Sequence, residues 1–311
     1  MSAPEMNRSP FSGERQRIAA RVRSFNSRVN ERSGRDLFKA TAVGVGLIGL
    51  MTVSLVFDKR WFVLVGTGFV LALVVELITA MRSAGLYVPR VPSALVPIGV
   101  VPLGYFYGPS WQWAGLLLGL LLVSVWRLAA SWFDSSLPRG RGLGRDLSSS
   151  AFVQLYLTFL GSFTVLLAAQ PRGELWVLTF GAVVVCVDTG AYMFGMRFGR
   201  TPLAPRISPS KTWEGIIGGG IAAMVVAVIA CAFILDLPWW FGLIMGPMLT
   251  ITAVAGDLTE SMVKRDLGIK DISNWLPGHG GFFDRFDSML PSGAMAFALY
   301  FWSAPLMQVN A

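Results

Sequence analysis

Charge is scarce in this sequence: Asp, Glu, Lys and Arg make up 14% of 311 residues, against about 25% in soluble proteins. That shortage excludes an ordinary soluble domain, and an apolar content of 54% with a mean hydropathy of +0.58 agrees. Histidine occurs once, as His279, with no cysteine near it, which excludes a zinc site there. Cys186 and Cys231 both fall inside apolar runs, away from any oxidising-side loop, so no disulfide is expected. No cleavable signal peptide is expected either, because the first apolar run begins only after residue 40.

What the chain does have is apolar runs of about 17 to 22 residues, the length at which a helix crosses a hydrocarbon core of roughly 30 Å. Nine are expected, at 41–57, 61–80, 91–108, 111–129, 151–169, 174–196, 216–235, 239–256 and 288–307. The third is the weakest, interrupted by Pro92, Pro97 and Pro102. The fold class is therefore all-α, a polytopic membrane protein with about nine transmembrane helices. Of the 26 basic residues, all but Lys59, Arg60 and Arg172 then fall on one side, which makes that side, and the N-terminus, cytoplasmic. The net charge of +8 is spread over loops and implies no nucleic-acid partner. Residues 1–40 are expected to form a basic, partly disordered tail, with room for a helix near 14–29, that retains the N-terminus inside and could touch anionic headgroups. Helices over 41–170 and a C-terminal region over 171–311 complete the organisation.

The outward connections are too short to build a site; the inner ones at 130–150, 197–215 and 257–287 are long. The last reads DLTESMVKRDLGIKDISNWLPGHGGFFDRFD and holds six carboxylates and four cations. Asp257, Glu260, Ser261, Lys264 and Arg265 lie at offsets that share one face of a helix continuing the eighth span. Ionisable groups at that depth are costly and usually functional, although an i,i+4 ladder on a solvated helix end would look similar. Asp284 and Asp287, spaced i,i+3 around Arg285, follow the turn that carries His279, Gly280 and Gly281. Two carboxylates one turn apart suit Mg²⁺ with substrate phosphates, and the glycines permit close backbone approach. His279 fits contact with a phosphate or base better than metal ligation.

A second cluster, SPSKTWEG, spans Ser208 to Gly215 and offers Ser208, Lys211 and Thr212, with Arg206 just before it. It could hold phosphate oxygens but lacks the glycine spacing of a Walker loop. Asp188 lies within the sixth span and needs a cationic partner; Glu76, in the second span, has less polar company and is not expected to matter.

The segment Ser261 to Asp287 resembles the signature of the phosphatidate cytidylyltransferases (CDP-diacylglycerol synthases): Ser261, Lys264–Arg265, Lys270–Asp271, His279–Gly281, Asp284–Arg285 and Asp287 stand at its spacing. The upstream DTGAY at Asp188 and the Ser208–Gly215 cluster are also similar, with Ser210 where several members carry a basic residue. The resemblance implies transfer of CMP from CTP to phosphatidate in the inner leaflet, giving CDP-diacylglycerol and pyrophosphate. It implies Mg²⁺, with a second monovalent or divalent cation as an option. Asp257, Asp284 and Asp287 would be the metal ligands, and these with Lys264 the catalytic set. Asp188, Ser208, Lys211, Thr212, Ser261, Arg265, Lys270, His279, Gly280, Gly281 and Arg285 would bind substrate. It further implies a homodimer in contact with membrane lipids.

Other readings predict different signs. A CTP-dependent lipid kinase would transfer the terminal phosphate, and an ion-coupled transporter would show repeats with carboxylates near the midplane. A CDP-alcohol phosphotransferase would carry a paired Asp-Gly…Asp…Asp pattern, which this chain lacks.

Overall fold

A computed structural model describes residues 37–133, 141–276 and 280–309. Its long helices follow the nine expected spans in order: α1 (Leu37–Phe57), α2 (Lys59–Ser83), α3 (Arg90–Tyr107), α4 (Pro109–Phe133), a composite rod, then α7 (Gly173–Phe198), α8 (Trp213–Phe233), α9 (Trp239–Leu267) and, after the one-turn α10 (Phe283–Phe286), α11 (Met289–Val309). The rod joins α5 (Arg141–Phe152), a π-helical segment (Val153–Phe159) and α6 (Leu160–Ala168). Six of these helical segments are long and apolar enough to cross a membrane: α2, α4, the rod, α7, α8 and α9. Large apolar side chains such as Leu117, Leu118 and Leu121 face outward, as lipid contact requires. Trp61, Trp111 and Trp239, at the starts of α2, α4 and α9, are exposed as in an interfacial aromatic belt.

Two features depart from the expected outline. The rod begins ten residues before the expected span, so the inner connection at 130–150 is largely helix. Residues 202–212 fold as an antiparallel hairpin, β1 (Pro202–Ala204) against β2 (Ser208–Thr212), in an otherwise helical chain. As expected, the helix carrying Asp257 continues the eighth span past the membrane edge, running on to Leu267 and closed by Gly268 in the left-handed region (φ 69°). The expected basic tail lies outside the described residues but for its last four.

The prolines of α3 are accommodated by a partner in the rod. Pro97 cannot donate to the carbonyl of Ser93, four residues back. Gln154, in the π segment, fills the gap: its Nε2 donates to Ser93 O at 3.2 Å. Gln154 belongs to a buried polar row, Asp146, Ser150, Gln154, Thr158 and Ser162, spaced every four residues along the rod. In an α-helix such a row drifts about 40° per step, since four residues exceed one turn of 3.6. The wider π turn takes up the drift and keeps the row facing α3 and α4. At one end Arg127 of α4 donates through Nε (2.9 Å) and Nη2 (2.6 Å) to Asp146 Oδ2, while Tyr87 N donates to Oδ1 at 2.9 Å. At the other end Gln112 Nε2 donates to Ser162 Oγ at 2.6 Å. Arg127 is thus a buried structural ion pair and not a surface anchor.

On the other side of the bundle α7, α8 and α9 pack through small residues. Gly242 and Gly246 of α9 lie so close to Val228 and Met224 of α8 that a Cβ at either would overlap backbone. Without a hydrophobic drive between helices in lipid, this close approach supplies the attraction. Cys186 and Cys231 are free thiols in this region.

Candidate active site

The site is built where the far end of α9 meets the turn before α11. Asp257 is 18 residues into α9, about 27 Å along its axis from Trp239 at the usual rise. That is nearly one hydrocarbon thickness, so Asp257 stands at the opposite rim from the Trp239 end. One turn on is Glu260, and one turn further Lys264, all on the face turned toward α11 and its entry turn. Gly256 permits this approach, because a Cβ there would overlap the backbone of Asp287 and the ring of Pro291.

Three carboxylates converge: oxygens of Asp257, Glu260 and Asp287 lie within 4.8 Å of one another, with Glu260 and Asp287 buried. Two lysines flank them. Lys211, the last-but-one residue of β2, is ion-paired with Asp257. Lys264 Nζ lies 2.5 Å from Glu260 Oε1 and 3.0 Å from Asp284 Oδ1. Burial pushes the Asp287 carboxyl up to about 7, reinforced by Asp188 and opposed by the Ser288 amide, Lys211 and Lys264. Burial also holds the Lys211 ammonium below the usual lysine range, partly offset by Asp188, Asp287 and Glu260. Asp284 is the opposite case. Its burial would raise it, but hydrogen bonding with Glu260, the Gly281 amide and Lys264 together hold it below the usual carboxylate range.

The carboxylate trio therefore differs from the expected set of Asp257, Asp284 and Asp287. Asp284 stands beside the trio: it is hydrogen-bonded with Glu260, its Oδ1 faces Lys264, and its Oδ2 accepts from Gly281 N at 2.8 Å. Glu260 completes the trio because it is one turn from Asp257 on a rigid helix. The i,i+3 spacing on α9 carried this signal, which the Asp-Arg-x-Asp pattern outweighed.

The other expected residues fall around this centre. Asp188 of α7 is within electrostatic range of Lys211 and Asp287. Ser208 and Lys211 lie on the hairpin, which Arg265 ties to the end of α9 by donating from Nε to Ile207 O at 3.4 Å. Thr212 is the N-cap of α8, its Oγ1 accepting from Gly215 N at 3.2 Å, so only its O–H remains for a substrate oxygen. Glu214 holds the corner before β1, accepting from Arg200 N and Thr201 N at 3.1 Å each. Ser261 is half-buried beside Glu260, whereas Lys270 and Arg285 are exposed at the rim. Gly280 adopts a left-handed φ of 82° opposite Leu276, and Gly281 is buried. His279 lies outside the described residues.

Two contributors come from the first half of the chain. Tyr156, in the π segment, reaches across to donate to Gly256 O at 3.3 Å and stacks edge-on against Phe283. Glu76, on α2, is buried and takes hydrogen bonds from Ser273, Phe282 and Phe283. Neither position had a sequence signal beyond an ionisable or phenolic group in an apolar run.

An acidic trio between two lysines, at one rim of a membrane-crossing helix bundle, is the equipment of an integral-membrane enzyme acting on phosphate groups. The chain belongs to the cytidylyltransferase family, whose model matches residues 38–303. It is similar to the phosphatidate cytidylyltransferase of Mycobacterium leprae, 33% identical over 276 residues covering 86% of this chain and 88% of the relative. The Mycobacterium bovis protein of the same name is 34% identical over 274 residues, 85% of this chain and 88% of the relative. That of Haemophilus influenzae is 42% identical over 139 residues, 43% of this chain and 48% of the relative. The protein is accordingly a nucleotidyltransferase.

Proposed function

We propose that the enzyme transfers CMP from CTP to phosphatidate, forming CDP-diacylglycerol and pyrophosphate. The observation that carries this reading is the Asp257–Glu260–Asp287 trio flanked by Lys211 and Lys264 at a membrane rim. A phosphate oxygen of phosphatidate attacks the α-phosphorus of CTP; the bond to the β-phosphate oxygen breaks and pyrophosphate leaves. The nucleophile has a second pKa of about 6 and is largely dianionic at neutral pH, so no strong base is needed. The obstacle is repulsion between two anions, and positioned positive charge lowers it.

The trio suits Mg²⁺, a hard cation bound through carboxylate oxygens and substrate phosphates. When bound, the ion supplies charge neutralisation on the phosphates. Were Asp257 to hold the ion, Lys211, now paired with it, would turn to phosphate oxygens, joined by Lys264 and, at the rim, Arg265 and Lys270. Asp188, Ser208, Ser261 and the Gly280–Gly281 turn are assigned to substrate. Asp284 takes the role of orienting Lys264 in place of ligating metal directly.

Nine spans with the N-terminus inside would place this rim at the cytoplasmic face of the cell membrane, where CTP arrives from water and phosphatidate from the inner leaflet. The strong bias of basic residues to that side supports the orientation. A homodimer is the proposed assembly.

The test is transfer of label by the purified enzyme with phosphatidate and Mg²⁺. Label from α-³²P CTP should enter the lipid, and label from γ-³²P CTP should leave as pyrophosphate. Labelled lipid from the γ position would overturn the reading in favour of a lipid kinase.

A further inference from the structure

We propose that Glu76 is a positioning residue of this active site: from the first half of the chain, it fixes the backbone that aims Asp284 at Lys264. The inference rests on the reading of that site as catalytic.

Glu76 is 1% exposed. A buried carboxylate is costly unless it is paired or hydrogen-bonded. Among the described residues it has no cationic partner. Three donors meet it instead. Ser273 Oγ and Phe282 N (3.0 Å) donate to Oε1, and Phe283 N donates to Oε2 at 2.7 Å. These donors lie on either side of the Leu276–Gly280 bridge, so one side chain ties both ends of the turn to α2.

The grip reaches Asp284 through one residue. Gly281 sits against Glu76 so closely that a Cβ would overlap its Oε1 and crowd Ser273 Oγ. With the backbone held there, Gly281 N points at Asp284 Oδ2 (2.8 Å), leaving Oδ1 to face Lys264. Phe69, two turns before Glu76 on the same face of α2, seats Phe282 and Phe286 edge-on at 5.7 and 5.1 Å between ring centroids. Asp284 is thus clamped from both sides by one helix. A glutamine could not replace Glu76 without loss, because its NH₂ group would face one of the three donors.

The test compares Glu76→Gln, Glu76→Asp and Ser273→Ala as full-length proteins in detergent. Amide hydrogen exchange over residues 280–286 is read without substrate or metal, and kcat and KM are read with CTP and phosphatidate. Glu76→Gln should speed exchange in that stretch but not across the bundle, and lower kcat about 10- to 100-fold, as loss of supporting hydrogen bonds does at such sites. The KM for CTP should change much less, and Glu76→Asp should recover part of kcat. Ser273→Ala should move both readouts the same way by a smaller factor. Unchanged local exchange and kcat in Glu76→Gln would overturn the proposal. So would loss of kcat with exchange raised throughout the bundle and no recovery in Glu76→Asp. Should the Glu76 variants not fold, Ser273→Ala decides, an unchanged result counting against the clamp. If the native enzyme makes no CDP-lipid, the substrate reading falls, while local exchange still judges the clamp.

Discussion

The Nζ of Lys264 lies 3.0 Å from Oδ1 of Asp284, so one ammonium joins the end of α9 to the turn before α11. The same nitrogen is 2.5 Å from Glu260, and both buried oxygens depend on it. Removing the cation by Lys264→Met should cost about 3 kcal/mol of stability, because it strands buried carboxylates. It should also lower turnover by about 10²- to 10³-fold, the scale of a lost charge-stabilising donor. Adding Glu260→Gln to it should recover much of the stability and none of the turnover. Thermal unfolding in detergent and the α-labelled CTP assay separate the two effects.

Asp287 should give the metal-free protein a distinctive pH dependence. Its folded carboxyl lies near 7, raised by burial, whereas an unfolded aspartate titrates near 3.9. Between those values the folded state holds the proton more tightly, so stability is greatest at the acid end and falls as pH rises to about 7. Asp287→Asn should flatten that part of the stability profile. It should also abolish Mg²⁺-dependent turnover while leaving membrane insertion intact; near-native turnover would remove Asp287 from the trio.

Gln154 and Pro97 should be coupled through Ser93. Gln154→Leu strips the donor from the Ser93 carbonyl, but Pro97→Ala returns an amide N–H to it. A double-mutant cycle on unfolding should show coupling of about 1 kcal/mol, near the upper half of the range for such bonds in membranes. Additive effects would mean that the carbonyl is satisfied in another way.

Thr212 separates capping from substrate contact. Thr212→Val should destabilise the protein by about 1 kcal/mol through loss of the cap on α8. If the O–H also touches substrate, Thr212→Ser should keep both stability and the KM for CTP, and Thr212→Val should raise that KM.

The helices were legible because lipid demands long apolar runs, and the face shared by Asp257, Glu260 and Lys264 was legible from helical period alone. The partner of each polar group was not. Glu76 meets backbone amides of a turn that follows it by some two hundred residues, and amides leave no trace in side-chain pattern. Asp284 and Asp287 share a motif, yet the oxygen that closes with Asp257 and Asp287 comes from Glu260 on the facing helix, while Asp284 faces Lys264. The row from Asp146 to Ser162 stands openly in the sequence at every fourth position. Its common face depends on the π turn, which no residue in Val153–Phe159 announces.

The bond between Gln154 and Ser93 also imposes an order in time on biogenesis. Ser93 precedes Gln154 by 61 positions, so at about 5–20 residues per second the ribosome needs roughly 3–12 s to deliver the donor. Until then α3 carries an unpaired carbonyl that hydrocarbon penalises by several kcal/mol. The bond therefore favours packing of α3 against the rod as soon as the rod has emerged.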